Sequence, residues 1–206
     1  MAVDTTQDLT ELNAVNSVLA AIGQSPVTTL DFENPETSFV YNLIQECSRD
    51  VQDEGWVFNR EQMYPLKPDT SGFIIPPNNV LRMDVSENDV YFTSNVVKRD
   101  GKLYDKYRHS FEFNTQTIYF DIVWFLPYSD LPSVFQRYIT SKASGRAATQ
   151  LVSNPNLTQL LTAQEAQTRA ACLEYECNQG DHNMMDFQPG TAYRSYRPYT
   201  ALRRYA

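Results

Sequence analysis

The hydrophobic pattern of this chain changes period twice, and that change constrains the fold more than any other feature. From Asp8 to Gly23 the apolar residues Leu9, Leu12, Val15, Leu19 and Ile22 recur at helical spacing. Asp8 and Glu11 form a capping pair, and Gly23 stands where a helix-ending glycine belongs. Ser25-Pro26 ends the segment, and a second helix opens at Asn34-Pro35, with Asn as N-cap and Pro in the first turn. That helix runs through Phe39, Val40, Leu43, Ile44 and Cys47 to Val51 and stops at Gly55; Glu46, Asp50, Asp53 and Glu54 make its charged, solvated face. At Trp56 the character switches. To about Tyr128 the chain consists of short runs (WVFN, FIIPP, VYFTSNVVK, KLYDKY, SFEF and TIYFDIVWFL) rich in β-branched and aromatic residues. Asp100-Gly101 is a hairpin turn signal and Pro76-Pro77-Asn78-Asn79 a loop.

Helical spacing returns after Asp130-Leu131-Pro132, with Val134, Phe135, Tyr138 and Ile139 leading a helix that runs to Leu151. Asn154-Pro155 starts the last helix, expected to turn Leu157, Leu160, Leu161, Ala170 and Leu173 inward and to end at Gly180. The expected fold class is α+β: a four-helix bundle from residues 1–55 and 130–180, because two separate helix pairs could not bury their apolar stripes. An antiparallel β-sandwich or curled sheet over 56–129 is inserted between helices 2 and 3, and an extended C-terminal arm covers 181–206.

Charge is distributed unevenly. The net charge is −8, yet residues 187–206 hold four arginines and no acid, which leaves 13 basic and 25 acidic residues, a charge of −12, over 1–186. Such a body repels nucleic acid phosphates. In the arm, Tyr193, Tyr196, Tyr199 and Tyr205 alternate with Arg194, Arg197, Arg203 and Arg204 around Leu202. Disordered tails are poor in aromatics, whereas Tyr and Arg dominate interface hot spots, so the pattern reads as a segment that docks on a partner. A solvated basic tail and a nucleic-acid-binding tail are the alternatives.

The residues offer little chemistry. His109 and His182 stand apart without acid or Cys partners at metal-ligand spacing, and the glycines stand singly at turns rather than in a phosphate-binding loop. Glu174/Glu176 and Asp53/Glu54 are too close in sequence to face each other on a helix, so they read as solvated acids rather than a glycosidase pair. Cys47, Cys172 and Cys177 have no disulfide framework spacing and read as reduced thiols of a cytosolic protein. The N-terminal residues lack a signal-peptide pattern, and no run approaches the ~18 apolar residues of a membrane span. No enzyme activity, cofactor, metal or membrane anchor is expected.

Six blocks, taken in order, resemble one family. LNAVNSVLAAIGQSPVTTL (Leu12 to Leu30), GWVFN (Gly55 to Asn59), GKLYD (Gly101 to Asp105), YITSKAS (Tyr138 to Ser144), CLEYE (Cys172 to Glu176) and NMMD (Asn183 to Asp186) are similar to tail tubular protein A, the head-to-tail adaptor of T7-like short-tailed bacteriophages. The resemblance implies a virion tail protein, assembled in the host cytoplasm, that forms a dodecameric ring between the portal protein and the tail nozzle protein. The ring extends the DNA channel and is expected to close only on a portal template. Its helical parts pack side by side, and its acidic lumen would let duplex DNA pass without sequence-specific contacts. The arm would dock on the portal or a neighbouring subunit, with Tyr193, Tyr196 and Tyr199 as anchors and its arginines pairing with carboxylates. The acidic turn around Asp84, Glu87 and Asp89 is a candidate contact for the nozzle or tail fibres, its alternative being a solvated hairpin tip. Rival readings are a stopper or fibre-docking protein, a DNA-binding accessory protein acting through the arm, and an envelope hydrolase.

Overall fold

The structure is a computed structural model of the full chain, and it describes residues 5–86, 95–113 and 117–179. It is a mixed helix-and-sheet fold. Helix α1 spans Thr5–Ala21, so Asp8 lies inside the helix rather than capping it; no Gly or Pro in Thr5–Gln7 stops the helix from extending backward. At the other end Gly23 takes φ +79°, and its N–H and that of Gln24 donate to the Ala20 and Leu19 carbonyls at 3.1 and 2.9 Å. This is a Schellman ending, which a residue with a Cβ would strain. The Asn16 side chain then pins the following loop, accepting from the Val27 N–H at 2.8 Å and donating to its carbonyl at 2.9 Å.

Helix α2, Pro35–Gln52, begins as its sequence predicts, the Asn34 carboxamide oxygen accepting from the Glu36 N–H at 3.0 Å. Helix α3 covers Ser133–Ala147 and widens into a π-turn over Ala148–Val152, which Ser153 ends in the left-handed region at φ +53°. Helix α4, Pro155–Gln179, restarts on the Asn154 side chain. Helices α1, α2 and α4 each pack on α3. One apolar core draws Val15, Val18 and Leu19 from α1, Val40, Leu43, Ile44 and Cys47 from α2, Phe135, Tyr138 and Ile139 from α3, and Cys172 from α4.

Between α2 and α3 the described residues form five strands. β1 (Arg60–Leu66), β5 (Ile118–Trp124) and β2 (Val80–Val85) form an antiparallel sheet in the order β1-β5-β2. β3 (Val96–Arg99) and β4 (Lys102–Asp105) make a separate hairpin. Asp100 at φ +49° and Gly101 at φ +74° give its turn the two positive φ values of type I′, as the Asp-Gly signal predicts. Along β5, Ile118, Phe120 and Ile122 face a second core that also holds Val96 and Leu103 of the hairpin. A bulge at Met63 (φ +59°), whose N–H donates to the Asp121 carboxylate at 3.1 Å, re-registers β1 on β5.

Several expectations need correcting. Val57–Asn59 is a 3₁₀ turn, not a strand, and among the described residues FIIPP forms no strand and SFEF makes an isolated bridge from Ser110 to Asp105. Apolar composition marked these segments as buried, but they make single backbone contacts instead of a ladder: the Ile74 carbonyl accepts from the Leu103 N–H of β4 at 2.9 Å, and the Phe113 N–H donates to the Gly72 carbonyl at 2.8 Å. In α4, Leu160 is 70% and Leu173 49% exposed, and Ala170 is exposed too; Leu161 and Cys172 are the buried apolar residues. This helix carries Ala and Leu on more than one face, so its spacing alone did not select the side that meets α3.

Candidate functional site

The helical and β parts meet at a seam of buried polar side chains. Gln52, in the last turn of α2, is fully buried. Its oxygen accepts from the Leu126 N–H at 2.8 Å, and its nitrogen donates to the Leu126 carbonyl and to Ser48 Oγ, both at 3.0 Å. Asn59 completes the seam by donating to the Gln52 and Trp124 carbonyls, both at 2.9 Å, while accepting from the Trp56 N–H at 2.9 Å. The Trp56 indole N–H donates to the Val51 carbonyl at 2.7 Å, and the ring packs edge-on against Phe135. These bonds clamp the chain where it leaves the helices at Trp56 and where it returns at Leu126. The insertion is therefore joined to the helices by two closely tied strands of chain rather than by a loose linker.

A second set of contacts ties α4 to the same corner. Both Glu176 carboxylate oxygens accept from the Val57 N–H, at 3.0 and 3.1 Å. Arg169 forms a two-pronged pair with Glu54, both bonds at 2.9 Å, and donates to the Tyr138 hydroxyl at 2.8 Å. These hydrogen bonds, from Glu54 first and Tyr138 second, raise the Arg169 pKa. Asp50 binds Arg146, and Asp53 lies 4.0 Å from Arg82. Asp50, Asp53, Glu54 and Glu176, read from sequence as solvated acids, thus hold helix to helix and helix to sheet, because the folded chain brings distant arginines and a free backbone N–H to them.

A wide concavity lies over α3, between α1 and α4. It is a groove of about 1150 Å³. Ala14, Ser17 and Ala20 form one wall, Gln164, Gln167 and Ala171 the other, and Arg137 is the charged member of its described lining. Ser141 on its floor is buried, and its hydroxyl has no hydrogen-bond partner among the described residues. The groove is bordered by two charge-free runs. No residue from Leu12 to Leu30 or from Ala147 to Gln164 carries a charge, in a chain where one residue in five does. On α4, Leu160 stands exposed beside this surface. Sequence reasoning passed over the face, although the two runs are visible in the sequence as gaps in an otherwise regular scatter of acids and bases.

Of the residues singled out from sequence, Asp84 lies exposed on β2, opposite Asp121 of β5, where two acids face each other across the strands. Glu87, Asp89 and the arm residues Tyr193, Arg194, Tyr196, Arg197, Tyr199, Leu202, Arg203, Arg204 and Tyr205 lie outside the described residues, as does His182. His109 is exposed on a loop, and among the described residues no three His, Cys, Asp or Glu side chains gather into a metal-binding group. Cys47 and Cys172 are buried and Cys177 is exposed; burial pushes each of the two inner thiols up to about 11. No described helix is long and apolar enough to cross a membrane.

Comparison with known proteins bears on the nature of such a molecule. The tail tubular protein A of Klebsiella phage KP34 is 29% identical over 123 residues, a stretch covering 59% of this chain and 62% of that relative's length. Residues 12–182 match the family described as tail tubular protein, which takes in both charge-free runs, the polar seam and the strands. This chain belongs to the tail tubular protein family, a family of structural components of the phage virion tail rather than of enzymes.

Proposed function

We propose that this chain is the head-to-tail adaptor of its virion, a closed ring of identical subunits that joins the portal to the tail nozzle and extends the DNA channel. The observation that carries the reading is the uncharged face formed by α1 and α4 around their shared groove. Identical chains of net charge −8 repel one another, and they associate through surfaces free of acids. In a ring every subunit offers one surface to the neighbour on its left and a different one to the neighbour on its right. The groove over α3 has room for an element of the adjacent copy, which would supply partners for Ser141 and cover the exposed Leu160. Twelve subunits, portal binding through the arginine- and tyrosine-rich arm, and an acidic lumen that lets duplex DNA slide all belong to this reading. So does the division into helical residues 1–55 and 130–180, an inserted β domain over 56–129 and an arm over 181–206. Support for it comes from family membership, the charge-free face and the contrast between an acidic body and a basic arm.

Electron microscopy of the protein mixed with its phage's portal ring, with and without residues 187–206, tests it. A twelve-fold collar beneath the portal that needs those residues is the expected result. A collar that forms without them removes the arm from the docking role. Absence of a collar with the intact chain refutes the adaptor function in favour of another tail component.

A further inference from the structure

Five of the 13 basic residues outside the arm crowd into positions 98–108 of this acidic protein: Lys98, Arg99, Lys102, Lys106 and Arg108. They sit on the strands beside the β3–β4 turn and on the tight loop that follows β4. The fold fixes both. The Asp105↔Ser110 bridge closes the loop, the Lys106 N–H donates to the Asn95 carbonyl at 2.9 Å, and His109 is held at φ +53°. The Asp105 carboxylate, 1% exposed, accepts from the N–H groups of Tyr107 and Arg108 at 2.7 and 3.0 Å. Buried beneath the loop and 3.9 Å from Arg108, that carboxylate leaves the outside of the Lys106–His109 loop to basic residues, while Asp100 at the β3–β4 turn is the exposed acid of the hairpin. Arg99 lies 4.3 Å over the Tyr104 ring and Lys102 3.6 Å over Phe73, so these two cations are positioned as well. At the summit Tyr107 is 80% exposed.

A tyrosine held in water on a rigid loop does nothing for the fold, whereas Tyr ringed by Arg and Lys is the composition of an interface hot spot. Rigidity also lowers the ordering cost of binding. A duplex is a poor fit, because phosphate binding draws on many mobile cations along a groove, while this is one small knob on a body that repels DNA. We propose that the Lys106–His109 loop and the β3–β4 turn dock on an acidic surface of a different protein of the virion tail, with Tyr107 seated in a pocket and the surrounding cations facing carboxylates. The inference rests on membership of a tail protein family and not on the adaptor position, so it stands or falls separately from the ring.

The test uses virions carrying Tyr107→p-benzoylphenylalanine, a photo-cross-linking side chain, with the same substitution at exposed Met63 as control. The expected result is an adduct from position 107, and not from 63, to a peptide of another virion protein in which Asp and Glu outnumber Lys and Arg. Adding Lys98→Glu and Lys106→Glu should lower its yield roughly tenfold or more, since like charges across an interface are strongly unfavourable. Both lysines are exposed, and the melting temperature of the isolated charge-reversed chain should stay within about 2 °C of the parent. Adducts to DNA, to another copy of this chain or to a peptide without acidic excess overturn the proposal. So do absence of an adduct above the control and a yield indifferent to charge reversal.

Discussion

Replacing Gln52 by Met isolates the contribution of the polar seam. The two side chains have similar length and volume, so Gln52→Met leaves little cavity and mainly removes hydrogen bonds. In the parent, Gln52 satisfies both the N–H and the carbonyl of Leu126 and also binds Ser48. Stranding a buried polar group costs about 1–3 kcal/mol, so the two Leu126 groups together set a range of about 2–6 kcal/mol. Ser48 can turn its hydroxyl to a carbonyl of its own helix, and the thioether gains from burial, which places the expected net loss near ~3 kcal/mol. A domain of this size loses roughly 2–4 °C per kcal/mol, so the melting temperature should fall by about 6–12 °C. Urea unfolding followed by circular dichroism should show the midpoint falling while the slope is unchanged. A fall under about 2 °C would show that water or local rearrangement replaces the clamp, and would refute the argument that these bonds join helices to sheet.

Other outcomes follow from the same structure. Ala20→Glu places a carboxylate in the groove at an exposed helix position, and should leave the isolated chain's stability within about 0.5 kcal/mol while abolishing collar formation on portal rings in electron micrographs. Gly55→Ala should destabilise by about 1–2 kcal/mol in urea titrations, because φ is +79° and the new Cβ would meet Val123 Cγ2 at 3.2 Å. A thiol reagent should modify one cysteine per native chain, Cys177, and three after denaturation; fast native reaction of two or more would contradict the burial of Cys47 and Cys172. Because the folded state raises both inner thiols from 9.0 to about 11, their contribution to stability is complete below pH 9 and is lost as pH rises towards 11. Unfolding free energy measured between pH 8 and 11 should decline across that window, and Cys47→Ala/Cys172→Ala should flatten the decline.

The order of elements was legible in the sequence because it depends on local chemistry. Asn34-Pro35 starts α2, Gly23 ends α1, and Asp100-Gly101 turns the β3–β4 hairpin, each through bonds and dihedral preferences within a few residues. The change of hydrophobic period likewise placed the sheet between two helical segments. What only the tertiary structure decided is where long-range partners fall. No spacing rule brings Arg169 to Glu54, the Val57 N–H to Glu176 or Leu126 to Gln52, residues 74 to 119 positions apart. The side of α4 that meets α3, the packing of the hairpin on β5 and the burial of Asp105 beneath a basic loop have the same origin. A short-range preference acts through the few torsions and hydrogen bonds of one turn, whereas a pairing across the fold depends on how all the apolar faces are covered at once.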